Sequence, residues 1–149
     1  VAGVNYPNLD QLDTETRVLL ALDLLDRGDP LHSTTREVTE ACGLSRSTTL
    51  IYLMGLRSRG FVVGDRGKRW SFRCTEKGTR RAKGIRSLKP RQRLIFATFR
   101  RVGEGHYKSI AEAAGLDANG VSQSLGSLQD RELITPAYNS GRYGWVYAA

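Results

Sequence analysis

Two cysteines, two histidines, one methionine and four prolines are all that the 149 residues hold of these types, and the scarcity of thiols and imidazoles sets the first limit. Neither Cys42 nor Cys74 lies in a C-x-x-C or related spacing. A zinc site would need both to converge with His32 and His106 from distant positions, so the expected state of the thiols is burial as small side chains, with no metal and no disulfide. Long apolar runs are missing too. No stretch approaches the roughly 18 apolar residues of a membrane span, and the start of the chain lacks the basic-then-apolar layout of a secretory signal. Enzyme signatures are equally absent: there is no glycine loop ending in Lys-Ser/Thr, no His-x-x-x-His pair and no G-x-S-x-G elbow. His32 and His106 fall near helix starts and read as cap or turn residues. A non-enzyme without cofactor or ligand pocket is expected.

What the chain does have is positive charge. Lys and Arg number 23 against 15 Asp and Glu, for a net charge of +8, and the sequence pI is near 9.9. Such a balance asks for an anionic partner. The distribution is uneven: acids outnumber bases from Val1 to Asp65, whereas from Arg66 onward 17 Lys and Arg face 6 Asp and Glu. With 40% hydrophobic and 26% charged residues the chain is apolar enough to fold rather than stay disordered.

The spacing of Val18, Leu19, Leu22 and Leu25 predicts a helix over Asp13 to Arg27, capped by Asp13 or Thr14 and stopped by Gly28-Asp29-Pro30. A shorter helix fits Thr35 to Cys42 with Ser33 or Thr34 as cap. Gly43 supplies a turn, and Ser45 caps a third helix reaching about Arg59. The pattern then becomes extended. Phe61 to Val63 and Trp70 to Cys74 flank a basic, glycine-containing tip and read as a hairpin; Thr75 caps a basic helix from Glu76 to about Gly84.

The same order recurs. Glu40-Ala41-Cys42-Gly43-Leu44 aligns with Glu112-Ala113-Ala114-Gly115-Leu116, and one gapless offset also matches Leu53 with Leu125, Leu56 with Leu128, Arg59 with Arg131, and Phe61-Val62 with Leu133-Ile134. The second copy places helices at Pro90 to Val102, Ser109 to Ala114 and, capped by Asp117, up to about Arg131. A hairpin from Leu133 to Tyr147 follows. Helix, helix, turn, helix, hairpin is the winged helix-turn-helix plan, so the expected fold is mainly α with small β-hairpins (α+β): two tandem winged helix-turn-helix domains, 1–86 and 87–149.

Both halves resemble the winged-helix domains of MarR- and PadR-like transcription regulators. The residues that carry the likeness are the turn Glu40 to Ser45, the helix end Leu56 to Gly60, and Cys74-Thr75-Glu76-Lys77-Gly78, where Cys74 stands in for the usual leucine. The resemblance implies double-stranded DNA as partner, and the lack of an apolar span and of a secretory layout leads to the expectation of no membrane and a cytoplasmic, nucleoid-associated location. A homodimer is possible.

In such domains the third helix enters the major groove. Asn119, Gln123 and Ser127 occupy the face opposite Val121, Leu125 and Leu128, and Asn and Gln can pair bidentately with adenine. The matching positions of the first copy, Ser47 and Ile51, are further base-reading candidates, although Ile51, Tyr52 and Met54 could equally form a protein-contact patch. Candidates for the DNA backbone are Arg46 and Thr48 at the helix start, Arg57 near its end, Arg66, Lys68 and Arg69 in the first wing, Arg142 and Tyr143 in the second, and Arg80, Arg81 and Lys83 in the basic helix. The expected function is sequence-specific duplex binding, with transcriptional regulation as its purpose. The alternatives are a plasmid or phage replication-initiator or segregation protein, and a winged-helix protein-interaction scaffold.

Overall fold

The structure, a computed structural model, describes residues 13–28, 33–67, 69–139 and 142–148, with only the backbone of 139, 142 and 143. His32, the Asp29-Pro30 stop signal and Lys68 therefore lie outside the described residues. The chain divides into two compact units, Val1–Lys83 and Gly84–Ala149. No helix among the described residues is long and apolar enough to cross a membrane.

In the first unit α1 (Thr14–Gly28) packs on α2 (Thr35–Cys42) and α3 (Arg46–Ser58). Each helix starts where a polar side chain can take up free amides. Asp13 Oδ1 accepts from the amide of Thr16 at 2.8 Å. Thr34 and Glu37 form a reciprocal capping box, and Ser45 Oγ accepts from the amide of Thr48 at 3.2 Å. Between α2 and α3 the chain turns at Gly43, whose φ of +70° suits a residue without Cβ. Val18, Leu19, Leu22, Val38, Leu53, Leu56, Phe61 and Phe72 fill the core.

Strands β2 (Val62–Arg66) and β3 (Trp70–Cys74) form the wing, with Val62 opposite Cys74 and Arg66 opposite Trp70. A third strand, β1 (Ser33–Thr34), pairs with the other edge of β3, giving the order β1-β3-β2. The expected hairpin is thus a three-stranded sheet. Helix α4 (Glu76–Arg86) follows. Its Gly78 lies so close to Phe61 that an added Cβ would fall 1.9 Å from the Phe61 carbonyl oxygen.

The second unit repeats this order with α5 (Pro90–Val102), β4 (Glu104–Gly105), α6 (Tyr107–Ala114), α7 (Ala118–Asp130), β5 (Ile134–Asn139) and β6 (Arg142–Tyr147), its sheet running β4-β6-β5. Phe96, Phe99, Ile110, Val121, Leu125, Leu128 and Ile134 make its core. Helix α6 begins two residues before the expected Ser109 because His106 is its N-cap, Nδ1 accepting from the Lys108 amide at 3.3 Å. Asp117 stands at the N-cap of α7, but its side chain accepts no capping hydrogen bond. Both units thus have the winged helix-turn-helix architecture.

Candidate nucleic-acid interface

The third helix of each unit buries one face and frees the opposite one. In α7, Val121, Leu125 and Leu128 point inward. Asn119 and Gln123, one turn apart on the other side, are exposed beside Gly126. They form a polar face of amide donors and acceptors with no competing core role. Ser127 does not join them. It is half-buried, accepts a hydrogen bond from Gln92 Nε2 at 3.1 Å and another from the Arg131 guanidinium, and its hydroxyl is thereby committed to its own unit. The helical wheel places Ser127 at the edge of the outward face, and Gln92 on α5 draws it in. Ser127 is withdrawn as a base reader.

A cation takes up a position beside that face. An added Cβ on Gly120 would lie 3.0 Å from Arg91 Nη1, so the exposed guanidinium of α5 rests against the start of α7, next to Asn119. Its place among the Lys and Arg residues clustered between Lys77 and Arg93, and the small residue at 120, were the only hints in the sequence. In the second wing Tyr138 is 74% exposed and stands opposite Tyr143, as Asn139 stands opposite Arg142. The side chains of Arg142 and Tyr143 lie outside the described residues.

In α3 of the first unit the inward residues are Thr49, Leu53 and Leu56. Ser47 and Ile51 are exposed, Ile51 by 68%, and so are Arg46 at the helix start and Arg57 near its end. Thr48 is half-buried and takes part in the cap, its hydroxyl accepting from Ser45 Oγ at 2.8 Å. Arg66 and Arg69 are exposed in the wing. Trp70 links helix to wing: the Arg57 guanidinium lies 5.4 Å and that of Arg66 5.8 Å from its ring centroid. Six candidates of α3 and the wing, Arg46, Ser47, Ile51, Arg57, Arg66 and Arg69, are thus solvent-facing.

The basic helix departs more from expectation. Arg80 and Lys83 are exposed, with Arg80 3.6 Å from Glu76. Arg81 is only 7% exposed and its guanidinium lies 5.0 Å from the Phe61 ring centroid. Lys77 covers the same ring at 4.5 Å and donates to the Arg59 carbonyl at 2.9 Å. A guanidinium packed this way holds α4 to the α3–β2 junction and does not reach a phosphate. Arg81 is therefore withdrawn as a backbone contact.

A concavity of about 510 Å³ opens between α2, the start of α3 and the turn end of the wing. Arg46 and Arg69 share it with Arg36, Thr39, Leu50 and Trp70. Arg36 is paired with Glu40 at 3.2 Å. A pocket was not expected, because its walls are drawn from positions 34 to 70 and converge only through the fold. The one available signal was a tryptophan beside a basic tip.

Cys42 and Cys74 are buried free thiols. Burial pushes the Cys42 thiol up to about 11. It raises Cys74 as well, helped by the carboxylate of Asp26, which accepts from the Cys74 amide at 2.8 Å. Neither sulfur is a nucleophile near neutral pH. Among the described residues no group of three His, Cys, Asp or Glu could hold a metal ion.

No protein-family model matches the chain, and no curated protein matches it. Among solved structures, the crystal structure of ScpB from Mycobacterium tuberculosis aligns over 91% of this chain and 92% of its own, with 17% identity and a TM-score of 0.31. A superposition that loose carries no argument about this chain.

Proposed function

We propose that the chain binds double-stranded DNA in a sequence-dependent way. Asn119 and Gln123 of α7 read base edges, while Arg46, Arg57, Arg66 and Arg69 of the first unit, Arg91 beside α7, and Arg80 and Lys83 of α4 hold phosphates. The observation that carries this reading is the outer face of α7. Two amide side chains at adjacent turns project from a helix whose other side is wholly core, which is the arrangement that pairs with adenine in a major groove. Arg91 beside it, and the lysine and arginine of the first unit, supply affinity by releasing condensed counterions. Lys68, Arg142 and Tyr143 keep the backbone role that their wing positions suggest.

Within this reading, the likeness of the turn and strand motifs to MarR and PadR domains supports a regulator of transcription. Footprints at promoters would favour it, and footprints at an origin or centromere-like site would favour an initiator or segregation role. The test of duplex binding itself is fluorescence anisotropy with a labelled duplex at increasing salt. The expected log–log slope is steeply negative, about −0.9 for each phosphate contacted. An affinity that does not change with salt would refute the reading.

A second reading rests on one feature of the first unit. Ile51 is 68% and Val63 40% exposed, and an open groove lined by Met54, Val62 and Val63 lies between α3 and β2. Ile51 can meet a thymine methyl, but an apolar strip on a surface also suits a protein partner. Under that reading Ile51→Lys would abolish association with the partner, whereas under the first it would alter only duplex preference.

A further inference from the structure

The cavity beside the turn end of the first wing carries more than a surface phosphate contact requires. Its volume, about 510 Å³, falls in the range of small-molecule sites. Arg36 is neutralised by Glu40. Arg46 and Arg69, in contrast, line the cavity with no hydrogen bond or ion pair to any described residue. The lining holds one anion, Glu40, which is taken up by Arg36, so the charges of Arg46 and Arg69 are left without an anionic partner among the described residues. Thr39 lines it as well, and its buried hydroxyl has no hydrogen-bond partner among the described residues, although buried polar groups in folded proteins are almost always paired. Trp70 and Leu50 add aromatic and apolar wall.

We propose that this cavity binds a phosphomonoester joined to an aromatic base, the chemistry of a nucleoside monophosphate. A phosphomonoester carries about −1.5 to −2 at neutral pH, which matches two guanidinium groups, and each guanidinium presents a planar fork suited to phosphate oxygens. A carboxylate or an internal phosphodiester, with a single charge, leaves one arginine unmatched. The base finds the aromatic surface of Trp70, and the Thr39 hydroxyl finds a polar partner. Two sources present this chemistry: a free mononucleotide, and the 5′-phosphorylated end of a DNA strand. A free mononucleotide held here occupies Arg46 and Arg69 and so opposes their contact with duplex backbone. The site does not depend on the duplex-binding reading.

The test is isothermal titration calorimetry of the full chain with AMP, adenosine and inorganic phosphate. AMP should give a saturable heat, with adenosine and phosphate each weaker by about tenfold or more. Arg46→Ala with Arg69→Ala should remove AMP binding, and Thr39→Val should weaken it roughly threefold to tenfold. Trp145→Phe leaves Trp70 as the sole tryptophan, and its emission should respond to AMP; calorimetry on the unmodified chain decides the matter if that variant fails to fold. Duplexes ending in a 5′-phosphate or a 5′-hydroxyl separate the sources, since preference for the phosphorylated end assigns the DNA terminus and AMP binding without such preference assigns the free nucleotide. No saturable heat with AMP together with equal affinity for both duplex ends overturns the proposal, as does AMP binding that survives loss of both arginines. AMP binding in a chain that ignores duplex DNA would leave the site standing and refute the duplex reading alone.

Discussion

Arg69→Ala and Arg81→Ala should have opposite signatures, although both residues sit in the basic half of the chain. Arg69 is exposed in the wing and makes no hydrogen bond or ion pair to a described residue. Removing it deletes one phosphate contact, so the log–log salt slope for duplex binding should become shallower by about 0.9. Stability should stay within about 0.5 kcal/mol of the parent. Arg81 is 7% exposed and stacks its guanidinium on Phe61. Its removal forfeits a desolvated cation–π contact and the packing of the stem, together about 2 kcal/mol. For a unit of this size that lowers the thermal midpoint by on the order of 10 °C, while the salt slope stays unchanged. Anisotropy titrations and thermal denaturation followed by circular dichroism measure both quantities. A shallower slope for Arg81→Ala with an unmoved midpoint would show that this arginine meets phosphate and that its burial against Phe61 is wrong.

Other consequences can be checked on the same material. Gly78→Ala forces a Cβ to within 1.9 Å of the Phe61 carbonyl oxygen and should cost on the order of 3 kcal/mol in denaturant unfolding, whereas Gly67→Ala meets nothing within 4 Å and should change stability by less than about 0.5 kcal/mol. Burial raises the Asp26 carboxyl above its ordinary value, opposed by the Cys74 amide and reinforced by Asp23. A raised carboxyl favours folding at low pH and loses that contribution as pH climbs through its folded value. Asp26→Asn should therefore gain stability relative to the parent as pH rises from below 3.8 through that range, and level off above it; a constant difference across acid pH would contradict the burial. The thiols of Cys42 and Cys74 should react with an aromatic disulfide reagent only after unfolding, and rapid labelling of the native chain would be inconsistent with their environment.

Much of the fold was legible because its signals are local. Apolar spacing marks α1, α3 and α7, and Ser45, Thr34 and Pro90 announce helix starts by chemistry that acts within a single turn. Strands β1 and β4 escaped notice for the opposite reason. Each has two residues, too few for any period, and exists only because the central strand β3 or β6 offers a free edge. The site was legible to the same degree. Asn119 and Gln123 follow from the α7 periodicity alone, whereas the fate of Ser127 was decided by Gln92 on another helix. Arg81 belongs to a charge run that reads as one cationic face, yet Phe61, twenty positions earlier, takes Lys77 and Arg81 for its own ring. Side chains near helix edges are assigned by neighbours that local pattern does not contain.

The outer face of α7 is best tested by selecting bound sequences from a random duplex pool with the parent chain and with Asn119→Ala and Gln123→Ala. The parent should enrich a defined motif, and each variant should lose preference at an adenine-containing position while still binding, at about 1–3 kcal/mol of discrimination per lost bidentate pair. A pool that emerges unenriched from the parent, or the same motif from all three proteins, would contradict base reading by this helix.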